Sequence, residues 1–96
     1  MSHPSIADVR KALIAAPGQK FKLADRSTHG RVIFTDKHEA RTSLKKDAAM
    51  IGELAEKLYA NADRALLVIL QGMDTAGKSG TIANVFGRTS PIGLQV

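Results

Sequence analysis

The chain has 96 residues and no cysteine, so it has room for one small domain or part of a larger one and cannot form disulfides or cysteine-based metal sites. Fourteen lysines and arginines against nine acidic residues give a net charge of +5. Most of these lysines fit an ordinary solvated surface, and the alternative is a polyanionic partner. Scarce aromatic residues and the lack of zinc-ligand spacing argue against nucleic acid as that partner. Charges interrupt the segment from Met1 to Ala16, and no run approaches the roughly 18–20 apolar residues that cross a bilayer, so we predict a cytoplasmic protein without membrane contact.

A short helix and an extended segment are predicted in the first third of the chain. The capping-box pattern of Ser5–Asp8 predicts the start of the helix, and the turn residues Pro17 and Gly18 end it. Apolar residues alternate with lysines over Gln19–Asp25, which is typical of a half-buried extended segment. We interpret residues 1–35 as an N-terminal extension.

A long helix is predicted for residues 36–62. Asp36 and Glu39 form a second capping-box pattern, and helical periodicity continues from about Lys37 to Ala60. Asn61 is predicted to stop the helix in a left-handed conformation. An apolar stripe of the kind that packs into a core recurs at steps of three and four residues, and it consists of Ala40, Leu44, Ala48, Ile51, Ala55 and Leu58.

A strand–loop–helix unit is predicted for residues 65–96. The run from Ala65 to Leu70 is apolar throughout, which is typical of a parallel strand that is covered on both faces. A helix is predicted from Lys78 to Phe86, and Leu94–Val96 is predicted to start a second strand.

Gly72 to Ser79 matches the pattern G-x-x-x-x-G-K-[ST] of a phosphate-binding loop, the P-loop or Walker A motif. The glycines let backbone N–H groups point at phosphate oxygens, and the following helix adds its positive N-terminal end. Lys78 is expected to reach the outer phosphates and the hydroxyl of Ser79 to suit a magnesium ion; a glycine-rich turn without a ligand is the alternative. The predicted phosphate- or nucleotide-binding residues are Gly72, Met73, Asp74, Thr75, Ala76, Gly77, Lys78, Ser79, Gly80 and Thr81.

Asp74 is the unusual residue of this loop. Its carboxylate would repel a phosphate, so a functional role needs a bridging cation or the acceptance of a proton. The alternative is structural, because a short aspartate side chain can accept hydrogen bonds from backbone N–H groups and so shape the loop.

Several stretches together resemble the polyphosphate kinase 2 family. Asp74 inside the loop is the most distinctive residue of the resemblance, and Ser79 departs from it, since many members carry aspartate there. The resemblance covers about four-fifths of the chain, in unbroken order, through Pro17–Asp25, Asp36–Ala40, Ala65–Lys78, Gly80–Ile82, Val85–Phe86, Pro91 and Gly93.

The resemblance implies an α/β, P-loop kinase-like fold with three α/β/α layers and a parallel sheet, of which this chain would hold the N-terminal helices and the first strand–P-loop–helix unit. It implies a transferase that moves a terminal phosphoryl group between inorganic polyphosphate and a nucleoside mono- or diphosphate with Mg²⁺. Lys78 and Asp74 would be catalytic, and Asp74 and Ser79 would lie at the metal. The family's second acidic motif and basic lid would lie beyond residue 96, so we expect the N-terminal part of one domain, inactive by itself.

Two other functions stay open. One is a different small-molecule kinase, such as a nucleotide or sugar kinase, against which Asp74 and the segment Pro17–Asp25 argue. The other is a truncated chain that binds phosphate or a partner subunit without catalysis. The nucleotides considered are ADP, AMP, GDP and GMP, and a homo-oligomer is among the alternatives for the assembly of the chain.

Overall fold

The computed structural model describes residues 4–29 and 33–96 of the chain. The chain divides into two compact units, Met1–Arg41 and Thr42–Val96. No helix in the two described ranges is both long and apolar enough to cross a bilayer. The helices are α1 (Ile6–Leu13), α2 (Lys37–Asn61) and α3 (Lys78–Phe86), with short 3-10 helices at Leu23–Asp25 and Pro91–Gly93.

The first unit begins with the predicted capped helix. The hydroxyl of Ser5 accepts from the N–H of Asp8 at 3.1 Å and donates to the carboxylate of Asp8 at 2.6 Å, which confirms the start of α1. The segment Gln19–Asp25, predicted to be extended, instead closes into a 3-10 turn at its end, where the N–H of Asp25 donates to Lys22 O. Lys22, directly before this turn, does have an extended backbone, with φ of −120° and ψ of 125°.

The long helix α2 forms as predicted and ends at Asn61. Asp36 caps its start, since its Oδ1 accepts from the N–H of His38 at 3.0 Å. The left-handed residue is Ala62, with φ of 57°, one position later than predicted, because Asn61 keeps its helical conformation. In a complete capping box the side chain of Glu39 would also accept from the backbone N–H of Asp36. Oε2 of Glu39 does not make this bond, since it is buried and has no hydrogen-bond partner among the described residues.

The predicted apolar stripe of α2 is its least exposed face, yet the core of the second unit is thin. Ala48, at 2% exposure, is the one buried hydrophobic residue among those the structure describes. One turn later, Gly52 is buried against the backbone that follows α3, and a Cβ there would lie 3.0 Å from the carbonyl oxygen of Arg88. Gly93 approaches Tyr59 in the same way, since a Cβ would lie 3.2 Å from the tyrosine side chain. Glycine therefore permits both close contacts.

The predicted strand at Ala65–Leu70 is not confirmed, and neither is the second strand predicted at Leu94–Val96. Neither segment has regular secondary structure, and no strand forms within residues 4–29 and 33–96. A strand exists only when a neighbouring strand pairs with its backbone, and none of the described segments supplies that pairing. The apolar side chains of the first segment are therefore exposed, from 37% at Leu70 to 82% at Leu67.

An open apolar groove of about 540 Å³ lies beside this segment in the second unit. Its walls include Leu58 of α2, Phe86 of α3, Leu66 and Val96. Apolar side chains that line an open groove are incompletely removed from water, so they contribute only part of the stability that full burial would give.

The Gly52 contact predicts the effect of a larger side chain on the second unit. Gly52→Val should lower the midpoint of thermal unfolding and the helical circular dichroism signal, because a branched side chain must displace the Arg88 carbonyl, at a cost of about 1–3 kcal/mol. Ala60→Val is the matched control, since Ala60 is exposed on the same helix. This substitution should lower stability only by the difference in helix propensity between alanine and valine. Valine has a better helix propensity than glycine, so a midpoint for Gly52→Val at or above that of the unchanged chain would contradict the packing.

Candidate phosphate-binding loop

The backbone between the exposed apolar segment and α3 turns sharply over residues 72–77. The carbonyl oxygen of Met73 accepts from the N–H of Ala76 at 3.0 Å. Thr75 and Gly77 have φ of 66° and 94°, both in the left-handed region. That conformation costs a residue with a Cβ, such as Thr75, roughly 1–2 kcal/mol, whereas glycine adopts it freely. The turn is therefore curled tightly, as a loop that surrounds a small anion must be.

The first turn of α3 presents unpaired backbone donors to this loop. Gly77 caps the helix without a side-chain hydrogen bond, and the N–H of Thr81 donates to Gly77 O at 2.9 Å. The N–H groups of Lys78, Ser79 and Gly80 precede that bond and have no acceptor within the helix. These donors, together with the positive end of the helix dipole, attract anions.

The ammonium group of Lys78 is held at the same loop. Its Nζ donates to the carbonyl oxygen of Gly72 at 2.5 Å, so the lysine folds back along the turn. A Cβ on Gly72 would lie 3.1 Å from Cβ of Ala76 and 3.9 Å from Cγ of Lys78. Glycine at this position therefore avoids a tight contact with Ala76, while the lysine stem lies at ordinary van der Waals distance.

Asp74 and Ser79 are exposed, and the carboxylate of Asp74 accepts no hydrogen bond from the described part of the chain. The described residues contain no group of three or more His, Cys, Asp or Glu side chains that could hold a metal. Mg²⁺ is commonly held by one or two carboxylates, waters and substrate phosphates. Asp74 and Ser79 therefore fit a metal that arrives with a phosphate ligand.

The predicted site residues all lie in one continuous stretch, from Gly72 to Thr81, and local turns bring them together. The hydroxyl of Thr81 donates to Gly77 O at 2.9 Å, so its proton is engaged within the helix. Asn84 is a further residue at this loop, not predicted from the sequence; its Nδ2 donates to Gly80 O at 2.7 Å within α3. Its signal was the four-residue helical spacing from Gly80.

Comparisons with known proteins agree on one family. The family model described as polyphosphate kinase 2 (PPK2) matches residues 34–96. The chain is similar to an ADP-polyphosphate phosphotransferase of Rhodopseudomonas palustris, with 33% identity over 79 residues, which are 82% of this chain and 27% of the relative. It is also similar to an AMP/ADP-polyphosphate phosphotransferase of Meiothermus ruber, with 48% identity over 44 residues, which are 46% of this chain and 16% of that relative. No solved structure gives a significant match.

The chain thus aligns with about a quarter or less of the length of these curated relatives. Its family-model match nevertheless covers α2, the exposed apolar segment, the loop and α3. Because that match takes in well over half of the chain and includes the whole loop, the protein belongs to the polyphosphate kinase 2 family.

Proposed function

We propose that the loop of residues 72–79 binds the phosphate chain of inorganic polyphosphate or of a nucleotide, in a polyphosphate:nucleotide phosphotransferase. Two observations carry the proposal: the ammonium of Lys78 donates to the carbonyl oxygen of Gly72 in the loop, and the N–H groups in the first turn of α3 are unpaired. The relatives named for polyphosphate phosphotransfer to ADP and AMP support the substrate class.

The proposed fold is the P-loop kinase-like arrangement, in which residues 65–70 form a parallel strand between layers of helices. The uniform apolar character of this segment and its present exposure support that arrangement, because its side chains need cover on both faces. In this arrangement the strand fixes the position of Gly72 and thereby of the whole loop.

The proposed reaction joins an oxygen of the nucleotide phosphate to the terminal phosphorus of polyphosphate, while the bond to the bridging oxygen breaks. Phosphoryl transfer depends on the positioning of both groups and on neutralisation of charge on the equatorial oxygens. Lys78 and the N–H groups of α3 neutralise part of that charge. Mg²⁺, when bound, would neutralise more, and Asp74 and Ser79 are the side chains that would hold it at the phosphates.

Phosphate binding without turnover is the second candidate for the 96-residue polypeptide. The observation that favours it is the lack of an acidic cluster in the described residues, since phosphotransferases use further groups to position metal and acceptor. We therefore expect binding of polyphosphate but no measurable transfer to ADP, AMP, GDP or GMP. The proposed compartment is the cytoplasm, and the proposed partners exclude nucleic acid and membranes.

Removal of the lysine should abolish most of the binding. Lys78→Ala should weaken the affinity for tripolyphosphate with Mg²⁺ by about 10- to 100-fold, since a hydrogen bond to a charged group contributes about 1.5–3 kcal/mol. Isothermal titration calorimetry measures the change. Lys57→Ala removes the same charge from an exposed position on α2 and should change the affinity little. Equal losses in the two variants would mean that general charge attraction, and not the loop, binds the phosphate.

The space at Gly72 gives an independent test of the loop. Gly72→Ala should weaken tripolyphosphate binding roughly tenfold, because overpacking of this size costs about 1–3 kcal/mol and displaces Ala76 within the loop. Gly80→Ala is the control within the same site, since a Cβ there meets nothing within 4 Å. If the two alanine variants bind equally well, the close approach of Gly72 to Ala76 does not matter for binding.

The role of Asp74 can be measured in a chimera in which this chain replaces the matched region of the Rhodopseudomonas palustris relative. Asp74→Asn in that chimera should lower kcat by a larger factor than it weakens polyphosphate binding, because a residue that organises metal acts mainly in the transition state. The readout is ATP formed from ADP and polyphosphate. A lower melting temperature with unchanged kcat would instead assign Asp74 a structural role.

A further inference from the structure

Thr75 adopts a backbone conformation that threonine rarely takes. Its φ of 66° lies in the left-handed region, where a residue with a branched Cβ is an outlier. Ala62 is the other described residue with a side chain and a positive φ, and there the conformation follows the end of α2 at Asn61. No helix ends at Thr75, since α3 begins three residues later. The phosphate-binding loop itself therefore imposes this conformation.

The shape of the turn does not by itself call for a threonine. Gly77, two residues later, has φ of 94°, and a glycine at position 75 would reach the left-handed region without a steric penalty. Asparagine also takes this region more readily than a residue with a branched Cβ. Thr75 therefore makes the loop less stable than either residue would, and backbone strain of this kind persists mainly at functional sites.

No contact within residues 4–29 and 33–96 accounts for the side chain of Thr75. The residue is exposed, and its hydroxyl has no hydrogen-bond partner in those ranges. The hydroxyl of Thr81, by contrast, donates to Gly77 O at 2.9 Å. The space beside the turn is open, because a Cβ on Gly77 would meet nothing within 4 Å. The proton of the Thr75 hydroxyl is therefore available to a ligand of the loop.

We propose that the hydroxyl of Thr75 donates a hydrogen bond to a non-bridging oxygen of the phosphate that binds the loop. The inference rests on the proposed function, and it adds a side-chain donor to Lys78 and the N–H groups of α3. A hydroxyl that donates to an ionised phosphate oxygen forms a bond about twice as strong as one between neutral groups. The left-handed backbone fixes the direction in which the side chain leaves the loop, and the bond to phosphate offsets part of the strain. Thr75 is thus a positioning residue for the bound phosphate.

Two variants of similar shape separate the hydroxyl of Thr75 from its bulk. Thr75→Val keeps the branched Cβ and the strain but removes the donor, so the affinity of the full 96-residue chain for tripolyphosphate with Mg²⁺ should fall about tenfold. Thr75→Ser keeps the hydroxyl and should bind within about twofold of the unchanged chain. Isothermal titration calorimetry measures both. Thr28→Val removes an exposed hydroxyl outside the loop and should not change the affinity. Unchanged affinity in Thr75→Val, or weaker binding by the serine variant than by the valine variant, would overturn the proposal.

Thr75→Gly distinguishes a ligand contact from a structural role. Glycine relieves the left-handed strain, so the midpoint of thermal unfolding of the ligand-free chain should not fall. The affinity for tripolyphosphate should nevertheless fall as far as in the valine variant, because the hydroxyl is gone. A lower midpoint together with an unchanged affinity would assign Thr75 a structural role and overturn the proposal.

Lys78→Ala, titrated alongside, separates this inference from the proposed function. A loss of affinity in Lys78→Ala with none in Thr75→Val would overturn the hydroxyl contact alone. No loss in either variant would overturn phosphate binding by the loop as well. Titration of Thr75→Val with ADP distinguishes the two sources of phosphate. A loss with tripolyphosphate alone would assign the contact to polyphosphate and a loss with ADP alone to the nucleotide, whereas a loss with neither would overturn it.

Discussion

A uniformly apolar segment such as residues 65–70 is typically packed on both faces and hydrogen-bonded along its backbone. The rest of the second unit depends on which groups make these contacts. The segment leads directly into the loop at Gly72, so its position determines where Lys78 and the first turn of α3 lie. Within residues 4–29 and 33–96 only Ala48 is a buried hydrophobic residue, which shows how little of the available apolar surface is packed. The groove of about 540 Å³ beside the segment is the space that further packing would fill.

Sequence patterns predicted the helices well, because a helix satisfies its hydrogen bonds locally. The capping pattern at Ser5 and the apolar stripe after Asp36 located α1 and α2, and Lys78 to Phe86 matched α3. The two predicted strands were not confirmed, because a strand requires a partner that sequence periodicity does not supply. The extended segment predicted at Gln19–Asp25 ends in a 3-10 turn at Leu23–Asp25. The left-handed residue was misplaced by one position, from Asn61 to Ala62, because the exact end of a helix depends on tertiary context.

The candidate site was largely predictable, since its residues are contiguous and a known motif fixes their spacing. The sequence did not reveal that Lys78 donates to the carbonyl of Gly72 or that Asn84 ties Gly80, since both bonds depend on side-chain conformations. The lysine bond has a consequence for binding. A phosphate ligand competes with the Gly72 carbonyl for the ammonium group of Lys78, so one hydrogen bond of the lysine replaces another. The ligand also accepts hydrogen bonds from the unpaired N–H groups of α3. The net gain therefore comes from the positive charge of Lys78 together with the backbone donors of α3.

The most direct test of phosphate binding by this loop is a titration of the ¹⁵N-labelled chain with tripolyphosphate and Mg²⁺, followed by amide NMR chemical shifts. We expect the largest shifts at residues 72–81, with Lys78, Ser79 and Gly80 foremost, because their N–H groups are the donors without acceptors. Shifts that instead concentrate on the lysines of residues 19–26, or that are absent throughout the loop, would contradict phosphate binding by the loop.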